Sequence, residues 1–179
     1  MEKTNIVSVQ YKEKTKDLVV TSLLIALVFI ATKFINLRLP ISINGGLIHL
    51  GNTMLFTAAL VFGKKKGAAA GAVGMGLFDV VSGWMLWAPF TFIIRGIMGY
   101  MIGSIAYAKG RNGNHMLWNL IAIFFSGLWM IGGYYITEGV LYGNWIAPVT
   151  SIPGNVLQIL MGILLGLPLA AALKRTKLF

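Results

Sequence analysis

Five acidic residues and two histidines are all that the 179-residue sequence offers for acid–base or metal chemistry. His49 and His115 fall at different depths of apolar segments, and there is no cysteine. A shared metal site, a thiolate ligand, a disulfide and a cysteine nucleophile are therefore not expected. Gly63-Lys-Lys-Lys-Gly67 lacks the spacing of a phosphate-cradling loop, so no ATPase and no cofactor are expected either. What the sequence does hold is a set of polar groups inside apolar surroundings. They are His49 and Asn52, Asp79, Arg95, Tyr134 and Glu138, and Asn155 and Gln158, with Asn44 in a nearby loop. Asn155 and Gln158 are three apart and share one helix face. Amides, acids and an arginine among aromatic rings suit the holding of a small polar molecule rather than bond breaking. Asp79 and Arg95 lie on segments joined by a tight connection. A structural ion pair that locks this hairpin is the preferred reading for them, ahead of direct ligand contact.

The elements that carry these residues are membrane helices. The chain is 57% hydrophobic and 11% charged, too little charge to cover a soluble surface. Residues 1–17 form a charged N-terminal tail, and 18–179 a single transmembrane substrate-binding domain. Six apolar segments are predicted, over about 18–35, 47–62, 67–87, 89–108, 116–137 and 153–173. A polar stretch with Pro40 and Gly45-Gly46 separates the first two. Of the 15 Lys and Arg, 12 fall in the tail, at Lys64 to Lys66, at Lys109 and Arg111, and after segment six. The positive-inside rule makes that side cytoplasmic, with both chain ends there. The net charge of +10 then reflects loops facing anionic lipid, not nucleic acid. The expected fold is an all-α, compact bundle of six transmembrane helices in the plasma membrane.

The buried polar groups gather in the outer halves of these segments. A channel needs polar lining along its whole length; this one-sided set predicts a pocket open outside and sealed below. Trp84, Trp87, Tyr142 and Trp145 fall at outer ends, where an aromatic belt is the simplest reading for any one of them. Small residues recur at helical spacing in Gly67-x-x-x-Gly71, Gly99-x-x-x-Gly103 and Gly162-x-x-x-Gly166-x-x-x-Ala170, as helix packing in lipid requires. Ser22-x-x-x-Ala26 stands in a segment with few other small residues and is a candidate for docking an external partner.

Three stretches carry a family resemblance: Ile48-His-Leu-Gly-Asn-Thr53, Gly67-Ala-Ala-Ala-Gly-Ala-Val-Gly-Met-Gly-Leu-Phe-Asp79, and Trp87-Ala-Pro-Phe-Thr-Phe-Ile-Ile-Arg-Gly96. With Ser82-Gly-Trp84 between them, they resemble the substrate-binding S components of energy-coupling factor (ECF) vitamin transporters, in the riboflavin-transporter-like branch. That branch includes proteins assigned to hydroxymethylpyrimidine, a thiamine precursor, and to pyridoxine. The resemblance implies a protein that binds a vitamin from outside, under a lid between helices one and two. It implies docking through a small-residue motif on helix one, matched here by Ser22 and Ala26, onto a transmembrane coupling subunit driven by two cytoplasmic ATPases. Residues 36–46 correspond to the lid, and Arg95, Tyr134, Glu138, Asn155 and Gln158 to the regions that contact substrate. The compact, amide-rich set favours hydroxymethylpyrimidine or pyridoxine, with an exocyclic amine given to Glu138 and stacking on Trp84, Trp87 or Tyr134. Riboflavin or another vitamin is the alternative within the family. A stand-alone facilitator and an intramembrane enzyme are the alternatives outside it.

Overall fold

The computed structural model describes residues 2–38 and 47–176. Helix α1 (Glu2–Phe34) takes in the charged tail as well as segment one, so residues 2–17 continue the first helix as its leading turns. The chain then forms a small antiparallel hairpin, β1 (Asn36–Arg38) with β2 (Leu47–His49), in which Leu37 faces Ile48. Asn36 closes the end of α1 by donating from Nδ2 to the carbonyls of Thr32 and Lys33. His49 thus sits on a strand and not in a helix, and segment two begins later than the hydropathy suggested.

Helix α2 (Gly51–Val81) holds both the second and third predicted segments. It is broken at Gly63, whose φ of 82° and ψ of −176° are open to glycine and closed to residues with a side chain. The two arms fold back on each other there. A Cβ on Gly67 would lie 2.6 Å from that of Ala59, and one on Gly71 would lie 2.5 Å from Leu55 Cδ1. In an unbroken helix, rising ~1.5 Å per residue, those pairs would stand roughly 12 and 24 Å apart. Lys64 to Lys66 follow the reversal at once, which explains why charge and hydropathy both split the sequence at this point.

Helix α3 (Ala88–Tyr107) starts with Pro89 in its first turn, where a missing N–H costs nothing. It lies so close to the second arm of α2 that a Cβ on Gly99 would stand 2.3 Å from the Gly67 carbonyl oxygen. Helix α4 (Met116–Tyr142) runs five residues further than predicted and ends at Gly143, in the left-handed region at φ 63°. Asn144 Oδ1 then accepts from the N–H groups of Ile146 (2.9 Å) and Ala147 (3.1 Å) and turns the chain into α5 (Ile152–Met161). A π turn over Gly162–Gly166 joins α5 to α6 (Leu167–Arg175) without a break in direction. Its glycines let the run press on α2, since a Cβ on Gly162 would meet Phe56 Cε2 at 2.5 Å.

Four stretches are long and apolar enough to cross a membrane: 13–34, 88–110, 116–142 and 147–175. Leu55, Phe56, Leu60, Met75, Met98, Ile102, Ile123 and Met130 fill the centre. Large apolar residues such as Leu23, Phe92, Phe124 and Leu164 point outward from several helices, the inverse of a soluble surface. The basic residues close one end. There Lys174 donates to the Asn112 carbonyl and lies over the Tyr107 ring, Lys66 pairs with Asp17, and Arg111 covers Trp118 at 4.1 Å. That end is not wholly apolar inside. Asn119 is buried there and donates to the Gly113 carbonyl at 2.8 Å.

Candidate functional site

The opposite end of the molecule holds a cavity of about 100 Å³. Its position follows from which helix ends converge there: the last turns of α1, α2 and α4, the first turns of α3 and α5, and strand β2. Eight of the polar and aromatic residues singled out in the sequence line it: His49, Trp84, Trp87, Arg95, Tyr134, Glu138, Asn155 and Gln158. Asp79 lines it as well. Asn52 does not; it is fully buried behind Arg95. Asn44 lies outside the described residues.

Arg95 organises the site. It is 2% exposed, about two turns into α3, and its planar fork reaches three other helices. Nε donates to Tyr134 Oη at 3.1 Å on α4, and Nη2 to Gln158 Oε1 at 3.1 Å on α5. Nη1 donates to Asn52 Oδ1 on α2 and also faces the sulfur atoms of Met130 and Met98. The guanidinium further lies 5.1 Å from the centre of the Tyr134 ring. Gln158 passes the linkage on, donating from Nε2 to the Leu47 carbonyl at 2.6 Å, at the root of the loop between the two strands.

Asp79 and Arg95 do not meet. Among the described residues the ion pair within reach is Lys66–Asp17, and the hairpin-locking pair expected for Asp79 and Arg95 is not formed. Arg95 donates to Tyr134, and the Tyr134 hydroxyl donates at 3.2 Å to Thr91 Oγ1, which lines the cavity with Asp79. The physical reason is the third helix. Tyr134 of α4 takes an Arg95 donor that local sequence separation alone would have aimed at Asp79. Asp79 Oδ2 is shut off from solvent and, among the described residues, has no donor.

The aromatic residues divide in two. Trp87 stands 6.1 Å from Tyr134 and 6.2 Å from Tyr142, ring centre to ring centre, and with Trp84 forms one wall of the cavity. Trp145 is held elsewhere, its carbonyl accepting from the Tyr135 hydroxyl at 2.8 Å and its ring packed on Gly139. On the far wall His49 Nδ1 accepts from the Gly51 N–H at 3.2 Å, and its ring tilts against Phe78. The cavity also takes in Thr32, Met75, Thr91 and Ser151, which sequence reasoning missed. Thr91 had a signal, since it precedes Arg95 by four residues and so shares its helix face. Thr32 had none: it sits in an apolar helix and bonds its own backbone, donating to the Val28 carbonyl.

A ligand cavity capped by aromatics, set at one end of an apolar helix bundle with the basic residues at the other, defines a membrane-embedded small-molecule-binding protein. Over residues 12–175 the sequence matches the ECF-type riboflavin transporter, S component, and the chain belongs to that family. It is 29% identical over 161 residues to the thiamine precursor transporter HmpT of Lactococcus lactis subsp. cremoris (strain MG1363), covering 90% of this chain and 89% of that one. It is 33% identical over 138 residues to a Pyrococcus woesei protein described as an uncharacterized protein in gap 3'region, covering 77% and 89% of the two chains. The protein is thus an α-helical, multi-pass protein of the plasma membrane and an S component for vitamin uptake, a family that works with ECF partner subunits.

Proposed function

We propose that this S component captures hydroxymethylpyrimidine, or the similarly sized pyridoxine, from outside the cell. The observation that carries the reading is the composition of the cavity. Asp79, Glu138, Asn155 and Gln158 offer hydrogen bonds around a small space walled by Trp84, Trp87 and Tyr134. Its ~100 Å³ lies below the ~300–1,000 Å³ of typical ligand pockets, which favours one small ring over a fused tricycle. The kinship to a thiamine precursor transporter supports the same choice.

In this reading the chain crosses the membrane six times: α1, the two arms of α2, α3, α4 and the α5–α6 run. The basic end and both termini are cytoplasmic. The S component has no ATPase of its own and docks on a transmembrane coupling subunit worked by two ATPases. Ser22 and Ala26 are exposed on α1, while Leu24 and Val28 beside them turn inward, so the small-residue face is open to a partner. Calorimetry on purified protein with hydroxymethylpyrimidine, pyridoxine and riboflavin tests the substrate. Tight riboflavin binding with neither small ring bound would refute it. Uptake by vesicles holding this protein alone would refute the need for partners.

A further inference from the structure

The Asp79 carboxylate has an oxygen that meets no donor among the described residues. The residue is 8% exposed and lines the cavity, and among the described residues its Oδ2 is buried without a partner. Leaving such an atom unpaired is costly, and more so for a carboxylate than for a neutral group. No described residue supplies the missing donor. Arg95 directs its donors to Asn52, Tyr134, Gln158 and two thioethers. Glu138, the other acid on the cavity wall, already has a partner within the protein. Among the described residues Asp79 is the acid on the cavity wall with a buried acceptor that no donor meets.

We propose that Asp79 is a specificity-determining residue of the binding site, whose carboxylate turns to accept a hydrogen bond from an amine or ring N–H of the guest. This rests on the vitamin-binding reading above and changes it in one respect: the exocyclic amine of an aminopyrimidine goes to Asp79 rather than to Glu138. The class of guest narrows accordingly. A nitrogen heterocycle with an N–H donor completes the site, whereas a phosphorylated or carboxylated form would set a second negative charge against Asp79, with Arg95 already engaged elsewhere.

The test compares hydroxymethylpyrimidine with its analogue bearing hydrogen in place of the amino group, by calorimetry on the full-length protein in detergent. Wild-type protein is expected to prefer the amine by roughly tenfold to a hundredfold, the worth of one hydrogen bond to a charged group. Asp79→Ala should lower affinity for hydroxymethylpyrimidine by that factor and change affinity for the analogue by less than about threefold. Equal losses for both guests, or no loss for either, overturn the assignment. If Asp79→Ala does not fold, the wild-type comparison decides alone, and equal affinity for the two guests overturns it. Should wild-type protein bind riboflavin and neither pyrimidine, the small-ring reading fails. Asp79 is then judged on the riboflavin imide N–H, with a tenfold loss in Asp79→Ala upholding it and an unchanged affinity rejecting it.

Discussion

Asn52→Leu isolates what Arg95 does for the bundle, because Asn52 touches the guanidinium without lining the cavity. The substitution deletes the one amide acceptor on α2 and leaves Arg95 buried with fewer partners. A hydrogen bond to a charged group contributes about 1.5–3 kcal/mol, whereas neutral bonds between membrane helices average only ~0.6. A loss of roughly 2 kcal/mol follows, since this acceptor faces a cation that water cannot reach. At about 2–4 °C per kcal/mol for a chain of this size, the melting temperature should fall by roughly 4–8 °C. The chain has no cysteine for a thiol-reactive dye, but its five tryptophans allow intrinsic-fluorescence melting in detergent. Asn52→Asp serves as the counterpart, placing a carboxylate where the amide accepted and restoring the partnership as an ion pair. A melting temperature within 1 °C of wild type for Asn52→Leu would refute the organising role of Arg95. So would an Asn52→Asp protein no more stable than Asn52→Leu.

Gly99→Val should sharply reduce the monodisperse fraction on size-exclusion chromatography, because its Cβ would overlap the Gly67 carbonyl and overpacking costs about 1–3 kcal/mol or more. Gly132→Ala, with open space around the new methyl group, should be neutral or stabilise the helix by up to ~1 kcal/mol. Trp87→Ala should weaken binding of a heteroaromatic guest by about two- to tenfold, the worth of one aromatic contact, while Trp145→Ala leaves the dissociation constant unchanged in the same titration. Ser22→Trp should keep vitamin binding and abolish co-purification with the coupling subunit and ATPases in a pull-down from membranes.

The long apolar stretches were legible in the sequence because their hydropathy and their charged boundaries agree. Lys64 to Lys66 and Lys109 with Arg111 fall where the chain turns. The 36–38 and 47–49 strands were not legible, since three residues are too few to show an alternating pattern. The charged tail looked separate because its composition changes at residue 17, yet helix formation continues across that change. In the site, helix-face spacing paired Asn155 with Gln158, and depth grouped them with Arg95 and Tyr134. No local rule could direct Arg95 to Tyr134 instead of Asp79, because that partner comes from a helix some 40 residues further along. Nor could depth separate Trp87 from Trp145, as both stand at the same level and differ only in whether they turn inward.

The π turn at Gly162–Gly166 sets the rotational phase of everything beyond it. A π turn accommodates one extra residue in a helix, and one residue of an α-helix amounts to a rotation of about 100°. With the bulge present, Gln158 can face Arg95 at one end of the run while Lys174 faces Asn112 at the other. Deleting one residue within the bulge would let the run close as an α-helix with its ends still in step, whereas deleting one from the α-helical turns on either side would leave them out of step by over a quarter of a turn. In the second case either the cavity keeps Gln158 and the basic end loses its Lys174 latch, or the reverse. The last helix acts as a keyed shaft between the vitamin end of the molecule and the end that faces the cell interior.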